Sequence, residues 1–146
     1  MLTSPLAELT PYQCFQLFKL RVDIFVVEQQ CAYEEIDEVD ALASTRHVLA
    51  FDGPSLAGAA RVFPDAEGHT WHIGRLCVAP PYRGSGLATQ IMQTCLALCE
   101  GPAVLTAQSP LVDYYAAFGF QPSGPEFDWD GIPHTPMRLR EGSERV

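Results

Sequence analysis

An apolar strand end, a loop with two glycines and the first turn of a helix follow one another without interruption from Leu76 to Ala88. The glycines of that loop let the main chain approach a ligand closely, and the positive end of the helix dipole favours an anion, so the crossover suits a pyrophosphate. A Walker loop needs Gly-Lys-Ser/Thr after its glycines, and none follows here. A dinucleotide fingerprint can be laid on Gly84, Gly86 and Thr89, but its third position calls for Gly or Ala, and Pro80 to Tyr82 lengthen a turn that should be tight.

The rest of the chain arranges itself around that crossover. Thr10-Pro11 predicts a helix start, followed by Phe15, Phe18, Val22, Phe25 and Val26 at helical spacing to about Gln29. Residues 31–44 carry Glu34, Glu35, Asp37, Glu38 and Asp40 with little apolar periodicity and read as a long exposed loop or a short second helix. Apolar runs at His47–Phe51, Leu56–Phe63 and Thr70–Val78 predict strands, the last ended by Pro80-Pro81, which cannot continue a central ladder. A helix from Leu87 to about Glu100, a buried strand at Ala103–Ala107, a short helix at Pro110–Phe118 and strands around Asp128–Gly131 complete the series. A meander followed by strand, helix, strand, helix, strand predicts an α/β (α+β) domain, a mixed sheet of about six to seven strands flanked by about four helices. No internal repeat or linker divides the 146 residues, so one domain is expected, with its core at about 7–140 and a polar tail, Glu141–Val146, that frays.

Composition removes several classes of function. With a net charge of −9 the chain repels phosphate backbones, so nucleic acid is not an expected partner. No apolar run reaches the ~18 residues of a membrane helix and no secretory leader is present, so a cytoplasmic protein without a membrane partner is expected. Five cysteines without a CxxC pair fit a reducing compartment; Cys95 and Cys99 read as one helix face rather than a metal pair, and no metal is expected. The acidity either steers a cationic substrate or simply keeps the protein soluble.

Arg83, Gly86 and Ala88 fit Arg/Gln-x-x-Gly-x-Gly/Ala, and Leu76-x-Val78-x-Pro80 precedes them; in this the chain resembles the acetyl-CoA loop of the GNAT acetyltransferases. The resemblance implies a GNAT fold and acetyl-CoA as co-substrate. The backbone of Leu76, Cys77 and Val78 would hold the pantetheine and thioester, and Arg83 with the amides of Gly84, Ser85, Gly86, Leu87, Ala88 and Thr89 the pyrophosphate. Tyr115 to Phe120 looks like the family's Tyr-x-x-x-Gly-Phe, which implies Tyr115 as the general acid for the departing thiolate; alone, such a tyrosine reads as core filler. Over most of its length the chain is similar to the ElaA-like branch, through Leu20-Arg21, Val26–Gln29, Cys31, Tyr33, Ile36-Asp37, Asp40, Arg46-His47, Ile73–Arg75, Ala107-Gln108, Gly119-Phe120 and Asp130–His134. The double proline at Pro80-Pro81 departs from the loop pattern.

The implied reaction is direct transfer to a primary amine, on a small molecule or on a protein Lys or N-terminus. Its base is open among Glu28, His47, His72 and His134, with His72 singled out because, four residues before Leu76 in one strand, it should share that residue's face. Tyr33, Asp37, Arg75, Gln108 and His134 are the expected acceptor contacts, and the acidic segment either gathers a cationic amine or is a solvated loop. Arg21, Arg46 and Arg75 organise those carboxylates or bind an anionic group. Nucleophilic attack by Cys77 is the alternative chemistry. An acyl-homoserine-lactone-type synthase is a rival enzyme, opposed by the negative charge that its acyl-carrier partner would meet. A non-catalytic CoA-binding sensor is the non-enzymatic rival, and the protein would be a monomer or homodimer.

Overall fold

A computed structural model describes residues 1–139, and the Glu141–Val146 tail lies outside them. The strands are β1 (Leu2–Ser4), β2 (Arg46–Asp52), β3 (Ser55–Pro64), β4 (Trp71–Val78), β5 (Ala103–Gln108), β6 (Gln121–Pro122), β7 (Phe127–Trp129) and β8 (Ile132–Leu139). They form one mixed sheet in the order β1-β2-β3-β4-β5-β8-β6, with β7 paired to β8. Eight strands stand where six to seven were expected, because the short edge pieces β1 and β6 lack an alternating pattern of their own.

Helix α1 (Pro11–Arg21) starts where Thr10 predicts it. The Thr10 hydroxyl accepts from the Gln13 N–H at 3.1 Å, and the Gln13 side chain accepts from the Thr10 N–H at 2.9 Å. From Val22 to Glu28 the helix widens to π geometry, with Cys31 N–H on the Val26 carbonyl at 3.0 Å and Gln29 N–H on Ile24 at 3.2 Å. Val22, Ile24, Val26 and Val27 crowd a regular helix through their branched Cβ atoms. The buried face is Leu17, Arg21 and Ile24, whereas Phe15 of the expected stripe is exposed beside Tyr12. Helices α2 (Leu87–Leu98) and α3 (Val112–Ala116) follow the expected spans, and the uncertain second helix is a single 3₁₀ turn, Glu38–Ala41.

The sheet separates two cores. On one face α2 and α3 pack against Val48, Val62, Ile73, Leu105, Met137 and Leu139; on the other, α1 covers Leu49, Ala59 and Cys77. Helix α2 lies so close to β3 that a Cβ on Gly58 would stand 2.8 Å from Ile91 Cδ1 and 2.9 Å from the Cys77 carbonyl oxygen.

Candidate active site

Strands β4 and β5 pair in parallel only at Trp71↔Ala103 and His72↔Val104, and then part. The backbone beyond His72 keeps β3 on one side and has no strand on the other, so main-chain groups along Ile73–Val78 open into the gap. A cavity of about 680 Å³ fills it, walled by β4, β5, the π-helical turn and the β7–β8 hairpin.

A bulge decides which side chains reach which side of that gap. Ala60 alone stands opposite both Arg75 and Leu76, and Arg75 takes φ +52°. Alternation therefore reverses: Ile73 packs in the α2 core, but Cys77, four residues on, packs in the α1 core. Leu76 and Val78 face the α2 side, whereas His72, opposite Phe63, faces the α1 side. The expected shared face of His72 and Leu76 is thus overturned; both still line the cavity, from opposite sides of the sheet.

At the glycine loop a cleft of about 240 Å³ shares Val78 and Arg83 with the cavity and is lined by Gly84, Gly86, Leu87, Ala88, Thr89 and Tyr114. Gly86 is the N-cap of α2 at φ +84°, with no side chain capping the helix and no protein atom within 4 Å of where its Cβ would be. Gly84, at φ +79°, is equally open. This cradle of backbone N–H groups at the end of a helix dipole fits a pyrophosphate. The Ser85 hydroxyl donates to the Tyr82 carbonyl and braces the turn. Arg83 donates from Nε to the Val78 carbonyl at 3.0 Å and pairs with Glu28 at 2.8 Å, so its guanidinium closes the wall between glycine loop and π-helical turn. Tyr114 Oη lies 3.0 Å from Thr89 Oγ1 and ties α3 to the first turn of α2, a contact the sequence reading missed.

Tyr115 lines the cavity from the α2 side, packed edge-on against Tyr114 at 5.2 Å. Burial, with the Tyr114 ring beside it, pushes its hydroxyl up to about 12, and among the described residues that hydroxyl has no hydrogen-bond partner. Burial likewise pushes the Cys77 thiol up to about 12, which keeps it protonated and unsuited to attack. His72 stacks on Phe63 at 4.9 Å and 8°, and burial lowers its pKa against a small opposing pull from Asp65, so it is neutral at pH 7. Glu28 lines the cavity but is held by Arg83. His47 is wholly buried away from it, bonded to the Asp40 carbonyl at 3.0 Å.

Glu34 and Glu38 of the acidic segment are exposed, but Glu35, Asp37 and Asp40 are drawn into ion pairs. Arg21 binds Glu35 at 2.6 Å and Asp40 at 2.7 Å; Arg61 binds Asp37 at 2.7 Å and Asp40 at 3.0 Å; Arg75 binds Glu35 at 3.0 Å and Asp37 at 3.6 Å. Three guanidiniums meet three carboxylates, so the cluster is neutral as a unit and cannot gather a cationic amine. Asp37 belongs to this network and is not among the cavity-lining residues. Of the three arginines expected to organise the segment, Arg21 and Arg75 do; Arg46 bonds the Ala43 carbonyl instead, and Arg61 takes its place. An arginine between Ala60 and Val62 in an apolar strand was the signal for it.

Tyr33 donates to Glu35, lies under the Arg75 guanidinium at 5.6 Å and presents its ring to the cavity. Gln108 and His134, register partners on β5 and β8, line the same α1-side face. His134 bonds the Ile132 carbonyl through Nδ1 at 2.8 Å and packs beside Trp129 at 5.3 Å. Phe25, Phe63 and Trp129 complete this wall, and nothing in the local sequence of the Asp128–Gly131 stretch singles out Trp129 for it.

The profile of the acetyltransferase (GNAT) domain family matches residues 17–141. A UPF0039 protein of Mycobacterium tuberculosis is 42% identical over 138 residues, 90% of this chain and 86% of the relative. Protein ElaA of Escherichia coli is 36% identical over 137 residues, 90% of each chain. The ElaA crystal structure superposes with a TM-score of 0.89 over 96% of this chain and 97% of that one, at 34% identity. The crystal structure of an acyl-CoA N-acyltransferase from Pseudomonas aeruginosa superposes at 0.86, 31% identical, over 94% and 97%.

Proposed function

Since this chain belongs to the GNAT acetyltransferase family and to its ElaA-like branch, we propose that it moves an acetyl group from acetyl-CoA to a primary amine, directly, with both substrates bound together. The observation that carries this reading is the parting of β4 from β5, which opens one cavity onto both the glycine cradle and the α1-side wall. A CoA-type donor is what that cradle fits.

Acetyl-CoA supplies the activated acyl carbon and a thiolate leaving group. The Gly84–Thr89 amides hold its pyrophosphate, and main-chain N–H groups near Cys77 and Val78 donate to the oxygen that gains charge as the carbonyl is attacked. As the C–N bond forms, neutral His72 takes a proton from the amine nitrogen; as the C–S bond breaks, Tyr115 gives its proton to sulfur. The burial that raises Tyr115 also raises the proton affinity of a thiolate lodged beside it, so donor and acceptor stay matched. Glu28 serves as base only if Arg83 releases it.

Thiol release from acetyl-CoA across a panel of amines tests the proposal. Coenzyme binding by calorimetry without turnover of any amine would replace it with a binding module.

A further inference from the structure

We propose that the acceptor is a primary amine carried on a flat aromatic body, seated between the Phe63–His72 stack and the Trp129–His134 pair; this rests on the amine acylation proposed above. Register places the wall. Leu105, Met137 and Leu139 face the α2 core, so Thr106, Gln108, His134 and Pro136 face the α1 side with His72 and Phe63. Helix α1 packs on β3 and β4 and leaves the β5–β8 part of this face to the cavity. Around it stand the rings of Phe25, Tyr33 and Trp129.

Two properties of this wall select the acceptor. Its charges are spent within the protein: Arg61 on Asp37, Arg75 on Glu35, and Arg83 and Glu28 on each other. The remaining carboxylate of the lining, Asp130, is exposed, where attraction for an ammonium is weak. Meanwhile Trp129 is 46% exposed and Phe127, 6.1 Å from both Trp129 and His134, is 43% exposed, so the hairpin offers aromatic surface that the fold does not use. Aromatic rings in offset or edge contact add to affinity beyond the area they bury, and a flat aromatic ligand makes such contacts with the rings that line this face. His72, neutral and ring-stacked, stands at the end of the slot nearest the parting strands, where the amine nitrogen must lie.

The experiment compares 2-phenylethylamine, 2-cyclohexylethylamine and spermidine with acetyl-CoA, on the parent enzyme and on Trp129→Leu, Trp129→Phe and Asp130→Asn. The aromatic amine should show the lowest KM; Trp129→Leu should raise that KM about three- to tenfold with kcat little changed, and Trp129→Phe should restore most of it. The cyclohexyl amine, similar in size but not flat, should respond to neither. Preference for spermidine with sensitivity to Asp130→Asn, or an equal effect of Trp129→Leu on all amines, overturns the inference while leaving amine acylation intact. Calorimetry of the amines on the CoA complex separates the remaining case: Trp129-dependent binding of 2-phenylethylamine without any turnover upholds the slot and refutes the acylation. Absence of binding and of turnover for the aromatic amine refutes the slot.

Discussion

Asp40→Asn keeps the side chain's shape and takes its charge out of the centre of the buried network. Asp40 accepts from Arg21 at 2.7 and 3.1 Å, from Arg61 at 3.0 Å and from the Asp37 N–H at 3.0 Å. Both it and Arg21 have side chains 1% exposed, so no water replaces what is lost. An amide turns at least one NH₂ hydrogen toward a guanidinium and leaves Arg21 with Glu35 alone. Removing one member of a buried ion pair costs about 3–5 kcal/mol, a large part of the ~5–15 kcal/mol that holds an ordinary domain together. At about 3 °C per kcal/mol for a chain of this length, the melting temperature should fall by about 10–15 °C. Acid gives a second readout. Burial resists the Asp40 charge, but the hydrogen bond and charge of Arg21 outweigh it and bring the carboxyl down to about 2. An unfolded aspartate titrates near ~3.9, so this stabilisation is complete above about pH 4 and is lost as pH falls toward about 2. Urea melts of parent and variant should differ by the full amount at neutral pH and converge across that acid window. A deficit under about 1 kcal/mol at pH 7, or curves that stay parallel into acid, would refute the claim that a charged Asp40 anchors the segment. Arg21→Gln combined with Asp40→Asn should cost less than the sum of the two, as expected for residues in one network.

The other predictions concern the site. Gly86→Val should remain folded, losing about 1–2 kcal/mol to the left-handed backbone, yet bind CoA at least about tenfold more weakly in calorimetry, because its side chain occupies the cradle; unchanged affinity would remove the loop assignment. Tyr115→Phe should keep CoA affinity and lose about 10²–10⁴-fold in kcat, and a rate within about twofold of the parent would return Tyr115 to the core. His72→Gln should abolish the acid limb of the kcat/KM profile; because burial lowers the parent's pKa, that limb lies below the ordinary histidine value of about 6.5, and a limb that survives the substitution belongs to another group.

Where local rules suffice, the sequence already contained the structure. The Thr10 cap, the proline stop after Val78, the glycine loop and the apolar periods of α2 and β5 each act over a few residues, and each element appears within a residue or two of its expected place. The pairing of the acidic segment is only partly legible locally, because partners of Glu35, Asp37 and Asp40 are distant in sequence: Arg75 lies 40 residues from Glu35, Arg61 24 from Asp37 and 21 from Asp40. Carboxylates without apolar periodicity look like surface until the arginines that neutralise them are placed. Trp129 escaped for a related reason, since a tryptophan beside a turn acquires meaning only when the hairpin folds across the gap between β4 and β5.

The bulge at Arg75 shows how this distant network bears on the chemistry. Strict alternation from His72 would put His72, Leu76 and Val78 on one face of the sheet. The extra residue sends His72 to the α1 side while Leu76 and Val78 face Tyr115 and α2. That residue is not a glycine: Arg75 sits at φ +52°, a conformation that costs of order 1–3 kcal/mol and persists only where its surroundings impose it. The surroundings here are Glu35, whose carboxylate lies 3.0 Å and whose carbonyl lies 3.1 Å from the guanidinium, and the Tyr33 ring beneath it. Glu35 is fixed in turn by Arg21 from α1. The ion pairs therefore hold both the Tyr33 wall of the cavity and the strand irregularity that divides its two sides.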